Sequence, residues 1–203
     1  MPPVHYHDGR FPPAALRWEE LIPLLGPAAA AVARYDGMLA AIPNPDVLLA
    51  PLTTQEAVLS SRIEGTQATM GEVLEFEAGR EAPSPERRED IQEVLNYRAA
   101  MREAEQLLRT LPFSQRVVRR AHEVLLAGVR GAGKAPGEYR RIPNWIGPPG
   151  CAIEDARYVP IDAGKLADAM SAWERYAHEP GSDRLVQLAV LHAEFEALHP
   201  FLD

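Results

Sequence analysis

Apolar residues recur at helical spacing along most of the chain, and the periodic runs are separated by glycines and prolines. A short run over 17–25 stops before Gly26-Pro27, and Pro27 opens a second helix reaching Ile42. Asp46 is the expected N-cap of a helix with Leu48, Leu49, Leu52 and Val58 on its buried side, ending at Gly65. Thr69 caps a short helix carrying Val73, Leu74 and Phe76, closed by Gly79. Ser84-Pro85-Glu86 (a cap, a proline and an acid) starts the longest helix, to about Arg109, with Ile91, Val94, Leu95, Met101, Leu107 and Leu108 in period. Ser114 caps a helix through Leu125 that stops at Gly128. Asp162 caps one to His178, striped by Leu166, Met170, Trp173 and Tyr176, and Asp183 caps the last, with Leu185, Leu188 and Phe195 facing in. The fold class is all-α, a helical bundle.

Two segments depart from this rhythm. Residues 1–15 are proline-rich and aperiodic, hence an extended arm, and His5 and His7 in it read as solvated side chains. Between Gly128 and Pro160 the chain has six glycines and five prolines, which no helix tolerates. There 140–146 and 157–160 are candidates to pair as a short β-hairpin around Pro148-Pro149-Gly150. An insertion of that length in a compact domain is usually a binding loop or lid.

Composition narrows the function. With 21 basic and 29 acidic residues the net charge is −8, which argues against holding nucleic acid or anionic lipid by bulk charge. The single cysteine, Cys151, excludes an intramolecular disulfide and a cysteine-rich zinc site, as expected of a reducing compartment. The N-terminus does not read as a secretory signal, and no apolar run approaches the ~18 residues that span a bilayer. The expected location is cytoplasmic.

The chemistry concentrates at the end of the chain. Residues 191–203 crowd His192, His199, Glu194, Glu196 and Asp203 into thirteen positions. Pro200 disfavours helical dihedrals at His199, so the helix ends there and presents the imidazole at its tip. That geometry suits a general base near a cation site; it equally suits a packed histidine, the commoner case. Glu196 and His199 have the spacing of a di-metal helix, but such sites need a second Glu-x-x-His, and none exists. The common nucleotide-binding glycine fingerprints are missing. Gly137-Glu138-Tyr139-Arg140-Arg141 fits a phosphate or peptide contact and a solvated edge alike. Glu64, just ahead of Gly65, opposes the helix macrodipole, which suggests a use unless Arg62 simply neutralises it.

Taken together, these stretches resemble the Fic family, helical enzymes that move a nucleotide monophosphate onto protein hydroxyls. His199-Pro200-Phe201-Leu202-Asp203 matches the first five positions of the family motif His-Pro-Phe-x-Asp/Glu-Gly-Asn-Gly-Arg. Ser60-x-x-x-Glu64-Gly65 is similar to its inhibitory motif Ser/Thr-x-x-x-Glu-Gly/Asn, placed as in the subclass whose inhibitory helix is N-terminal. Residues 137–160, with Asn144, Trp145, Ile146 and Gly147, resemble the β-hairpin flap over the family's active site. The implied organisation is an N-terminal helical region over 1–80 and a Fic core over 81–203.

The resemblance implies a protein adenylyltransferase. His199 is the general base, Asp203 the ligand of Mg²⁺, and Glu64, His199 and Phe201 border the ATP. The flap residues 144–147 hold a target protein, which can be the chain itself; Ser60 and Glu64 form the brake. With Glu64 positioning water, the same site could also remove AMP. A homodimer stays open, and neither nucleic acid nor membrane contact is implied. The sequence stops at Asp203, without Gly-Asn-Gly-Arg, so the expectation is that these 203 residues transfer little or nothing unless the natural protein continues. The competing reading is a non-catalytic helical module whose flap captures a peptide or serves a regulatory role.

Overall fold

The structure, a computed structural model, describes residues 2–181 and 183–202. Among them the elements run β1 (Val4–His5), α1 (Trp18–Ala40), α2 (Pro45–Ile63), α3 (Met70–Glu77), α4 (Pro85–Leu108) and α5 (Gln115–Leu125), then β2 (Tyr158–Val159), α6 (Leu166–His178) and α7 (Arg184–Leu198). Among the described residues helices dominate, and the one sheet is a two-stranded parallel ribbon of β1 on β2. None of the described helices is long and apolar enough to cross a membrane. The chain divides into two compact units: residues through Tyr35 with Tyr139–Leu202, and Asp36–Glu138.

In the second unit α2, α3 and α5 pack on α4. Its core is built from Ala57, Val58, Ala68, Val73, Ile91 and Val94. The predicted starts hold where the cap is local. Thr69 forms a full capping box with Glu72 at the head of α3, and the Ser84 hydroxyl accepts from the Arg87 N–H at the head of α4. At α2 the first helical residue is Pro45 after Asn44, two residues earlier than an Asp46 cap predicts, because proline suits the first position. The buried stripe of α2 also differs from the expected one. It consists of Thr54, Ala57, Val58 and Ser61, while Leu48 and Leu52 are exposed. Small residues let the helix approach α4 closely, and the leucines fall on the opposite side. Buried Asn96 ties α4 to the end of α5: its Nδ2 donates to the Leu125 and Ala127 carbonyls at 3.1 and 2.8 Å.

The first unit is organised by α6 and α7. Leu166, Met170 and Trp173 are buried on α6, and each of the first two contributes ~1.5–3 kcal/mol of burial. The buried face of α7 is Val186, Gln187, Leu191, Glu194 and Leu198, rotated from the expected one; Leu188 is exposed. Two polar residues on that face account for the rotation, because both are fully engaged there. Gln187 donates from Nε2 to the carbonyls of Tyr176 and Glu179 at 2.7 and 2.9 Å, fastening α7 to the end of α6. Glu194 receives the N-terminal arm, as described below.

Helix α1 is continuous through Pro23 and Pro27, where the sequence pattern predicts two helices. Proline inside a helix removes one hydrogen bond and kinks the axis but does not always end it. None of its residues is buried.

Candidate active site

The site residues of the first unit gather at the C-terminal tip of α7. His199 is the residue after the last helical turn, half-buried, with φ 45° and ψ 65°. The left-handed region costs a non-glycine residue ~1–3 kcal/mol and persists only where the surroundings over-determine it. Those surroundings are visible. The Arg140 side chain, 3% exposed, donates from Nε to the His199 carbonyl at 2.8 Å and from Nη2 to the Leu198 carbonyl at 3.2 Å. Its Nη2 also donates to the Ile161 carbonyl at 2.5 Å, and its main-chain N–H donates to the Pro200 carbonyl at 2.9 Å. Helix C-termini leave carbonyls unsatisfied, and a buried cation there meets both their hydrogen-bonding need and the negative end of the macrodipole. Burial pulls the guanidinium below its ordinary pKa, while the charge of Asp162 pushes it back up.

Phe201 turns back into the unit. Its ring packs 5.3 Å from Tyr139 and 6.3 Å from Phe195, and Phe195 lies 5.6 Å from Trp173, whose indole N–H donates to the Leu191 carbonyl at 2.8 Å. A continuous aromatic seam thus holds the residues after His199 against the α6–α7 pair.

The flap departs from the expected ladder. In place of a hairpin between 140–146 and 157–160, a single antiparallel bridge joins Ile146 and Tyr158. Prolines 143, 148 and 149 lack the donors a ladder needs, and Tyr158–Val159 is instead paired in parallel with Val4–His5. Gly147 is required by close approach, because a Cβ there would meet Cys151 Sγ at 2.7 Å and Ala156 Cα at 3.2 Å. The Trp145 indole N–H donates to the Cys151 carbonyl at 2.9 Å, and Ile146 is exposed beside it. The Asn144 side-chain oxygen is enclosed without a hydrogen-bond partner among the described residues. The Tyr158 hydroxyl donates to the Ala197 carbonyl at 2.8 Å, tying the flap to the last turn of α7.

The N-terminal arm is not loose. Buried Glu194 accepts a hydrogen bond from the Tyr6 hydroxyl at 2.5 Å and pairs with His7 Nε2 at 2.9 Å, so His7, though its side chain stays 40% exposed, has a protein partner that its proline-rich context does not suggest. Burial first, then the Glu194 carboxylate, pushes the Tyr6 phenol well above its ordinary value. A carboxylate in step with Leu191 and Leu198 is the signal from which Glu194 is legible in sequence. For Arg140 no such signal exists, since Gly-Glu-Tyr-Arg-Arg reads alike whether solvated or buried.

Ser60 and Glu64 lie in the second unit. The Ser60 hydroxyl donates to Glu56 at 2.7 Å, and Glu64 caps α2 with its side chain exposed. The helix ends in a Schellman turn: Gly65, at φ 100°, donates to the Arg62 carbonyl, and Thr66 donates to that of Ser61. The turn is pinned to α4. Buried Thr66 donates to Glu93 at 2.6 Å, the Gln67 N–H donates to Asp90 at 3.0 Å, and Arg130 bridges both carboxylates at 2.6–2.9 Å. The Arg130 hydrogen bond, with Thr66 adding to it, holds the Glu93 carboxyl below its usual range.

Asp203, the expected Mg²⁺ ligand, lies outside the described residues, and among those described no cluster of three or more metal-binding side chains occurs. A magnesium ion held by one carboxylate, substrate phosphates and water needs no such cluster.

Residues 22–106 match the family model described as Fic/DOC family N-terminal, and residues 112–203 match that described as Fic/DOC family. The matches follow one another and take in most of the chain. A solved structure of a Fic family protein from Desulfovibrio desulfuricans G20 is similar with a TM-score of 0.70 and 22% sequence identity. The likeness covers 95% of this chain and 55% of that one, so this chain spans about half the length of that relative. At this identity the likeness is one of fold.

Proposed function

The chain belongs to the Fic/DOC family, and from that premise we propose that it is a protein adenylyltransferase, moving AMP from ATP to a Tyr, Thr or Ser hydroxyl of a target protein. The observation that carries this reading is His199, held in a left-handed turn at the tip of α7 by hydrogen bonds to the carbonyls on either side of it. In the proposed step the imidazole takes the proton of the target hydroxyl. The hydroxyl oxygen bonds to the α-phosphorus of ATP, the bond from that phosphorus to the oxygen bridging to the β-phosphate breaks, and pyrophosphate leaves. An unperturbed imidazole, with a pKa of about 6.5, suits a base working near neutrality. Asp203 would hold Mg²⁺, which offsets charge on the phosphates.

The exposed edge at Trp145 and Ile146 is the proposed seat of the target segment, through main-chain pairing that tolerates varied sequences. Ser60 and Glu64 are the proposed brake, with Glu64 disturbing the pose of ATP. The pinning of the turn after Glu64 by Thr66, Asp90, Glu93 and Arg130 supports a fixed position for the main chain that carries Glu64. The test is transfer of label from ATP carrying it on the α-phosphate, in a chain continued through Gly-Asn-Gly-Arg. Glu64→Gly raises the labelling and His199→Ala abolishes it. Captured target peptide with no labelling in any variant would favour the non-catalytic module.

A further inference from the structure

Arg140 is a buried cation whose partners among the described residues are all main-chain carbonyls. A guanidinium taken out of water ordinarily meets a carboxylate, which returns part of the desolvation cost. Here Asp162 acts on it only through its charge, and the two form no ion pair. Its hydrogen bonds have a definite geometric content. The Leu198 carbonyl belongs to the peptide plane entering His199, and the His199 carbonyl to the plane leaving it. Both planes are held by one rigid guanidinium, and the main-chain N–H of Arg140 holds the next carbonyl, that of Pro200. Fixing both planes fixes the direction of the His199 Cα–Cβ bond, and with it where the imidazole starts. A third hydrogen bond, to Ile161, anchors the guanidinium from the other side.

We infer that Arg140 is the positioning residue for His199: it holds the left-handed turn that aims the imidazole, without touching substrate. The inference rests on the reading of His199 as general base. It is distinct from the alternatives the Gly-Glu-Tyr-Arg-Arg run leaves open, since a side chain 3% exposed and spent on carbonyls is neither a phosphate contact nor a solvated edge. Lysine cannot replace it fully, because one ammonium lacks the planar fork that spans two carbonyls at once.

The test uses Arg140→Lys and Arg140→Met, with His199→Ala as reference, and two readouts. In a chain continued through Gly-Asn-Gly-Arg, AMP transfer is resolved into kcat and KM for ATP. In the 203-residue chain, the histidine side-chain resonances are recorded by NMR. We expect kcat to fall about 100-fold in Arg140→Met, the loss that a misplaced catalytic group of about 1 Å produces, and less in Arg140→Lys, with KM nearly unchanged. The His199 ring resonances of Arg140→Lys shift or multiply, while those of His122, in the other unit, stay put. Wild-type kcat in both variants, where His199→Ala abolishes transfer, overturns the positioning role. If His199→Ala transfers normally, the catalytic reading fails by itself. The NMR arm then decides the positioning claim, and an unchanged His199 signal in Arg140→Lys overturns it.

Discussion

Tyr6→Phe removes one oxygen and leaves the ring, so it isolates the bond between the N-terminal arm and α7. Glu194 is 4% exposed and has two partners on the arm, Tyr6 and His7. Loss of a hydrogen bond to a buried charged group costs ~1.5–3 kcal/mol. Because His7 remains as partner, about 2 kcal/mol is the expected cost. All three tryptophans, Trp18, Trp145 and Trp173, lie in the unit that contains this bond, so their emission reports on that unit. With a urea slope of ~2 kcal/mol/M, the midpoint falls by about 1 M.

The same bond predicts a pH signature. The folded Tyr6 phenol ionises above the unfolded value near 10, so the stabilisation is fully present below pH ~10 and is lost as pH rises further toward the folded value. Tyr6→Phe therefore shows a shallower alkaline decline than the parent. Equal midpoints and equal alkaline slopes in the two proteins would refute the reasoning, leaving the arm merely laid along the surface.

Three further outcomes are expected. The Glu93 carboxyl, depressed by Arg130, adds stability above the ordinary carboxylate pKa that is lost as pH falls through the folded value. Glu93→Gln should thus flatten the acid limb of a thermal melt followed by circular dichroism, by ~1 kcal/mol at neutrality since Arg130 is 57% exposed. Asn96→Ala orphans the Leu125 and Ala127 carbonyls at the end of α5 and should lower stability by ~2–4 kcal/mol in urea titrations read by far-ultraviolet circular dichroism. Gly147→Ala drives a methyl into Cys151 Sγ and the Ala156 main chain; it should cost ~1–3 kcal/mol and shift the emission of Trp145, whose indole is bonded to the Cys151 carbonyl.

What the sequence makes legible here is local. Ser84-Pro85, Thr69 with Glu72, and Asp183 start helices through bonds spanning two or three residues, and all three starts stand where the pattern puts them. Gly65 and Gly79 close helices for the same reason, as left-handed residues in Schellman turns. Pro200 marks the end of α7 at His199, so the tip of the candidate site is visible from one dipeptide. Periodicity alone misplaces the buried faces of α2 and α7, because it counts leucines and cannot weigh small residues at a close approach or engaged polar ones such as Gln187 and Glu194. The rest is long-range. The arm pairs with a strand more than a hundred and fifty residues later. The Arg140 bonds to the tip of α7 span nearly sixty residues, and nothing in the local composition distinguishes that arginine from Arg141.

The central claim is that His199 is the base of an adenylyl transfer. The most direct measurement is label from α-phosphate-labelled ATP on protein, in chains continued through Gly-Asn-Gly-Arg that carry Glu64→Gly with and without His199→Ala. The account predicts strong labelling with His199 and none without it. Equal labelling in the two chains would contradict it.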